Sequence, residues 1–94
     1  MLILADWKGP TSKTWSYDTC PLTIHKTCGT EKNYEQCVNS CKTQCTKLPN
    51  CNAFSIGRGI KHQYTCELVN CATAHISEPT LKSKSKGYYI SRGT

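Results

Sequence analysis

Eight cysteines carry most of the chemistry this chain has to offer: Cys20, Cys28, Cys37, Cys41, Cys45, Cys51, Cys66 and Cys71. A cysteine thiolate is a nucleophile and a metal ligand, whereas an oxidised pair is a crosslink. Structural zinc asks for C-x(2–4)-C pairs with a second pair or histidines further on. Here Cys37, Cys41 and Cys45 recur every four residues, and three thiols rising along one helix face are poor tetrahedral chelators. No C-x-x-C pair occurs. The number is even, so every cysteine has a possible partner. A short chain this dense in cysteine reads as a disulfide scaffold from an oxidising, secreted or extracellular setting, with no metal and no cofactor.

Catalysis is weighed on the same residues. His25, His62 and His75 and six carboxylates are present. A nucleophile needs a base within hydrogen-bond reach and a third group to orient that base. No serine or cysteine lies in a recognisable nucleophile motif, bridged cysteines have no thiolate, and histidines in surface loops are ordinary. The expectation is a binding module, not an enzyme.

The elements that would hold such a module follow from length and pattern. A chain of 94 residues is one domain with a modest core, so crosslinks must supplement burial. Each bridge contributes roughly 2–4 kcal/mol by restricting the unfolded chain. The apolar run at Met1–Ala5 is far too short for a signal-peptide core, which suggests a mature or excised domain. No stretch nears the roughly 20 apolar residues of a membrane span, and none is expected.

Residues 1–13, with Gly9, Pro10, Thr11 and Ser12, read as a loose N-terminal arm, and 14–94 as a single domain. Two short strands are expected between Lys13 and His25, the first from the alternation around Trp15 and Tyr17, the second around Leu22–Ile24. A turn around Gly29 follows, with Cys20–Cys28 as a bridge that can pin it. Asn33 is a good N-cap, with Glu35 in the first turn and Gln36 placed for a capping box, so a helix is predicted to about Lys47. Its cysteines share one inward face near Val38 and Leu48. Strands are predicted over 51–56 and 64–69 with Gly57-Arg58-Gly59 as the turn between them, then a loop over 72–81 and a closing strand at Tyr88–Ile90. Trp15 and Tyr88 are expected in the core.

The segment from Asn33 to Leu68 resembles the PAN/apple family, which includes apple domains, the N-terminal domain of hepatocyte growth factor and adhesins of apicomplexan parasites. The matching features are a capped helix with C-x-x-x-C, then Leu48-Pro49-Asn50-Cys51-Asn52-Ala53-Phe54, a variable hairpin, Thr65-Cys66-Glu67-Leu68 and a closing Gly87-Tyr88-Tyr89-Ile90. The resemblance implies an α+β fold, one helix packed on a small antiparallel β-sheet. It also implies that the first helix cysteine bridges to the second strand and the second to the start of the first strand. Two registers satisfy that pattern. One, preferred for its six-residue step to Cys51, pairs Cys41 with Cys66 and Cys45 with Cys51, leaving Cys20–Cys28 and Cys37–Cys71 as the simplest remainder. The other pairs Cys37 with Cys66 and Cys41 with Cys51, and Cys45 with a partner such as Cys71. The chain departs from the family in its extra cysteines Cys20, Cys28, Cys37 and Cys71 and in lacking an easily matched first strand.

Charge gives the binding reading a direction. Twelve Lys and Arg against six Asp and Glu leave +6. From residue 58 onward Arg58, Lys61, Lys82, Lys84, Lys86 and Arg92 face only Glu67 and Glu78. In extended backbone the Lys82-Ser83-Lys84-Ser85-Lys86 alternation sets three ammonium groups on one side about 7 Å apart. Such a row suits sulfated glycans; the plain alternative is a solvated edge kept soluble by lysines. The resemblance adds heparin binding, protein partners and galactose-type sugars. The expectation is therefore a secreted adhesion module for cell-surface contact, binding an acidic glycan or an extracellular protein surface. The runner-up is a neutral-carbohydrate lectin, with Trp7, Trp15, Tyr17, Tyr64, Tyr88 and Tyr89 as stacking candidates. A disulfide-rich inhibitor or toxin comes third, and nucleic acid is disfavoured for an oxidised extracellular domain.

Overall fold

Asn33 caps the helix as expected, through Glu35 and not through the capping box expected with Gln36. Its backbone is extended, and its side-chain oxygen accepts the Glu35 backbone N–H at 2.8 Å, satisfying one donor that the first turn leaves open. Helix α1 spans Tyr34–Lys47. It stops at Leu48, where the following Pro49 forces extended backbone (φ −94°, ψ 132°). Cys37, Val38, Cys41 and Cys45 form its buried stripe.

The computed structural model describes residues 6–28, 33–58, 63–72, 76 and 81–91, excluding the side chains of 6, 81–84 and 91. Among these, α1 packs on one five-stranded sheet made of β1 (Asp6–Thr14), β2 (Leu22–Thr27), β3 (Ala53–Arg58), β4 (Tyr64–Val69) and β5 (Leu81–Ser91). The spatial order is β1-β5-β3-β4-β2, and every neighbouring pair is antiparallel. The chain is thus a small α+β domain with one helix on an antiparallel sheet and four disulfides.

Alternation along the strands builds a core on each face. Phe54, Ile56, Cys66, Leu68, Tyr88 and Ile90 meet the helix cysteines beneath α1. The opposite face is covered by the segment after β1, where Trp15 and Cys20 pack with Ala53, Val69 and Cys71. The Trp15 indole donates to the Ile76 carbonyl at 3.0 Å. Gly87 makes this cover possible: a Cβ there would come within 2.9 Å of the Trp15 ring and 2.7 Å of Thr11 Oγ1. Across the ladder Gly9 holds φ +128°, a conformation that side chains disfavour.

Several expectations are corrected. From residue 6 onward the supposed loose arm is strand β1, paired with β5 through two register shifts. Trp15 and Tyr17 do not continue into a strand. The Cys20 N–H bonds back to the Ser16 carbonyl at 2.9 Å, making a turn that lays Trp15 on the sheet. Gly57 and Arg58 extend β3 and do not turn. The bridges are Cys41–Cys66, Cys45–Cys51, Cys20–Cys71 and Cys28–Cys37, so neither Cys20–Cys28 nor Cys37–Cys71 forms. Cys28 sits at the end of β2 beside the first turn of α1, while Cys20 lies on the far face with Cys71, and the sheet separates the two environments. The expected turn at Gly29 and most of the 72–81 loop fall outside the described residues.

Loop length ranks these bridges. Cys20–Cys71 closes 51 residues and Cys45–Cys51 closes 6. Replacing both cysteines of the first pair by alanine is expected to cost about 4 kcal/mol, against about 2 for the second. Urea unfolding of the two double variants measures the difference.

Candidate functional site

Arg58 ends β3 directly opposite Tyr64, the first residue of β4. Its guanidinium lies over the Tyr64 ring, 4.8 Å from the centroid, and donates to the phenol oxygen at 2.8 Å. Tyr64 meets Tyr34 edge to face at 5.5 Å. Tyr34, the first helical residue, shares a 2.5 Å hydroxyl–hydroxyl hydrogen bond with Tyr88 of β5. Tyr88 stacks on Phe54 at 5.1 Å, and the Lys42 ammonium stands 5.6 Å from its centroid. The result is a row of three tyrosines with a cation over each outer ring, an arrangement favoured by ring quadrupoles.

Burial, then the bond with Tyr34, then the charges of Tyr34 and Glu35 push the Tyr88 phenol above its usual range. The Tyr88 phenol therefore keeps its proton, and the charge beside it comes from the cations. Between Arg58 and Lys86 of β5 the surface opens into a concavity of about 450 Å³, lined also by Tyr34, Ile56 and Tyr64. Among the described residues no carboxylate pairs with Arg58 or Lys86. The arrangement can hold an anionic group against two cations and an apolar ring edge.

Of the predicted basic residues, Arg58 and Lys86 come together at this concavity. Lys82 and Lys84 lie in β5, in line with Lys86, but their side chains fall outside the described set. Lys61 and Arg92 also fall outside it, as do His62 and His75. His25 is exposed on β2, not in a loop. Tyr34 and Lys42 were not singled out from sequence. Their only signal is position, one beside the cap and one on the helix flank next to the inward stripe. The sulfurs of Cys28, Cys37 and Cys41 lie within 4.8 Å of one another, but all three are in disulfides and offer no thiolate to a metal.

A smaller concavity of about 270 Å³ lies on the opposite face, between Trp15, Tyr17, Ser55, Glu67 and Ser85. The Tyr17 hydroxyl donates to Glu67 Oε2. That bond first, then burial and the carboxylate's charge, raise the Tyr17 pKa from its ordinary 10.0 to about 12. Because the fold favours the protonated phenol, the contribution is complete below pH about 10 and is lost as pH rises through about 12. Glu67→Ala is expected to return one tyrosine to the ordinary range, seen by following tyrosine ring carbons in an NMR pH titration. Five tyrosines titrating unchanged would contradict the contact.

No family model, no curated protein and no solved structure matches the chain.

Proposed function

We infer that this chain is a secreted recognition module of the PAN/apple type, without catalytic activity, that binds a sulfated glycan in the groove between Arg58 and Lys86. The observation that carries this reading is the groove's composition: two cations that no described carboxylate pairs, beside two tyrosine rings. Anionic groups recurring along a glycan find charge-assisted donors there, while its sugar rings meet aromatic edges. Lys82 and Lys84 lie on the same strand as Lys86. Glu35 opposes the attraction from the helix N-terminus, but the net charge of +6 outweighs it at long range. Four disulfides support an oxidising home. The Cys41–Cys66 and Cys45–Cys51 pairs beneath a capped helix support the family reading.

A second reading, a neutral-sugar lectin, is favoured by one observation. The opposite-face concavity combines Trp15 and Tyr17 with the Glu67 carboxylate and serine hydroxyls, groups that stack on sugars and bond their hydroxyls.

Heparin chromatography separates the readings. The wild type is expected to elute at higher salt than a generic protein of pI near 9.0, and the Arg58→Gln/Lys86→Gln variant to lose about tenfold in heparin affinity, roughly 1.4 kcal/mol. Elution with the generic protein removes the sulfated-glycan reading. Retention on galactose resin that free galactose abolishes moves the assignment to the lectin.

A further inference from the structure

On the flank of α1 away from Tyr88, the helix stands beside β2, the outermost strand on that side. The surface between them sinks into a trough of about 720 Å³. Lys26 enters from β2 and donates from Nζ to Ser40 Oγ at 2.6 Å, so the Ser40 proton and the remaining ammonium protons are left for other acceptors. Gln36, Asn39 and Gln44 line the helix wall, and Lys47 closes its far end. Thr43, by contrast, donates its hydroxyl to the Asn39 carbonyl at 2.9 Å. Among the described residues no carboxylate lines the trough.

Three properties identify the occupant. First, two ammonium groups with no lining carboxylate among the described residues call for negative charge. Second, the middle is carboxamide, which offers a donor and an acceptor together and so matches a peptide backbone better than a run of sulfates. Third, the rim is an edge strand, whose outer N–H and C=O groups pair with no strand among the described residues. From Gln36 to Lys47 the helix rises about 16 Å, the length of about five extended residues.

The geometry points to a docking site for an acidic, extended segment of a partner protein. Its carboxylates meet Lys26 and Lys47, and its backbone meets the carboxamides and the β2 edge, a form of strand addition. The trough shares no residue with the tyrosine groove, so the inference stands whether or not that groove binds a glycan.

The test is an amide NMR titration of the oxidised protein with an acetylated five-residue peptide of alternating aspartate and threonine. Shifts are expected to cluster in β2 and along 36–47 of α1. Lys47→Gln is expected to weaken binding about fivefold, and Lys26→Gln/Lys47→Gln to abolish it. Arg58→Gln should leave it unchanged. Since Lys26 supports Ser40, the exposed Lys47→Gln alone decides the matter if the double variant does not fold. Shifts centred on Arg58, equal binding of the peptide with asparagine for aspartate, a heparin hexasaccharide that shifts the trough residues more strongly, or no shift at saturating peptide would each overturn the proposal.

Discussion

One face of a four-turn helix is sulfur, and the rest of the molecule is arranged around that fact. Cys37, Cys41 and Cys45 bridge to the end of β2, the middle of β4 and the entry to β3. Burial alone gives a chain of this size little margin. The crosslinks supply what the core lacks and fix the helix axis over β3 and β4. Cysteine side chains are short, so the helix lies close to the sheet, and larger residues such as Phe54, Leu68 and Tyr88 fill the space around the sulfurs.

That placement decides which polar groups meet. With α1 seated over the middle strands, its two flanks stand beside different strands. On one, Tyr34 and Lys42 come against Tyr88, with Lys86 two residues along the same strand. On the other, Ser40 faces Lys26. A helix turned by one residue toward its C-terminus would bring Lys42 to the place of Cys41 and set its charge beneath the helix. The two candidate surfaces are in this sense by-products of the sulfur stripe, because the same periodicity that turns cysteine inward distributes the flanking residues.

The parts legible in the sequence are those whose cause is local. The Asn33 cap, the stop before Pro49, the inward cysteines and the alternation of Tyr64, Cys66 and Leu68 all follow from neighbours within a few residues. β1 was hidden because Gly9, Pro10 and Ser12 carry no strand propensity; pairing with β5, about seventy-five residues away, makes it a strand. Trp15 and Tyr17 alternate as strand residues do, yet the Ser16–Cys20 turn and the packing of Trp15 over Gly87 take them out of the strand. Two bridges escaped for the same reason, since sequence neighbours such as Cys20 and Cys28 end on opposite faces of the sheet. In the groove Arg58 and Lys86 were visible as charge, whereas Tyr34 gains its role from residues 30 and 54 positions away.

All four disulfides lie between Cys20 and Cys71. β1 and β5 lie wholly outside that covalent frame, joined to it by the β3–β5 ladder and by the packing of Trp7, Tyr88 and Ile90. No disulfide therefore ties the outer two-stranded ribbon to the inner body, and strand pairing and packing alone hold it there. Lys86 lies on that ribbon and Arg58 on the inner body, so the concavity between them is built across a boundary that no disulfide crosses.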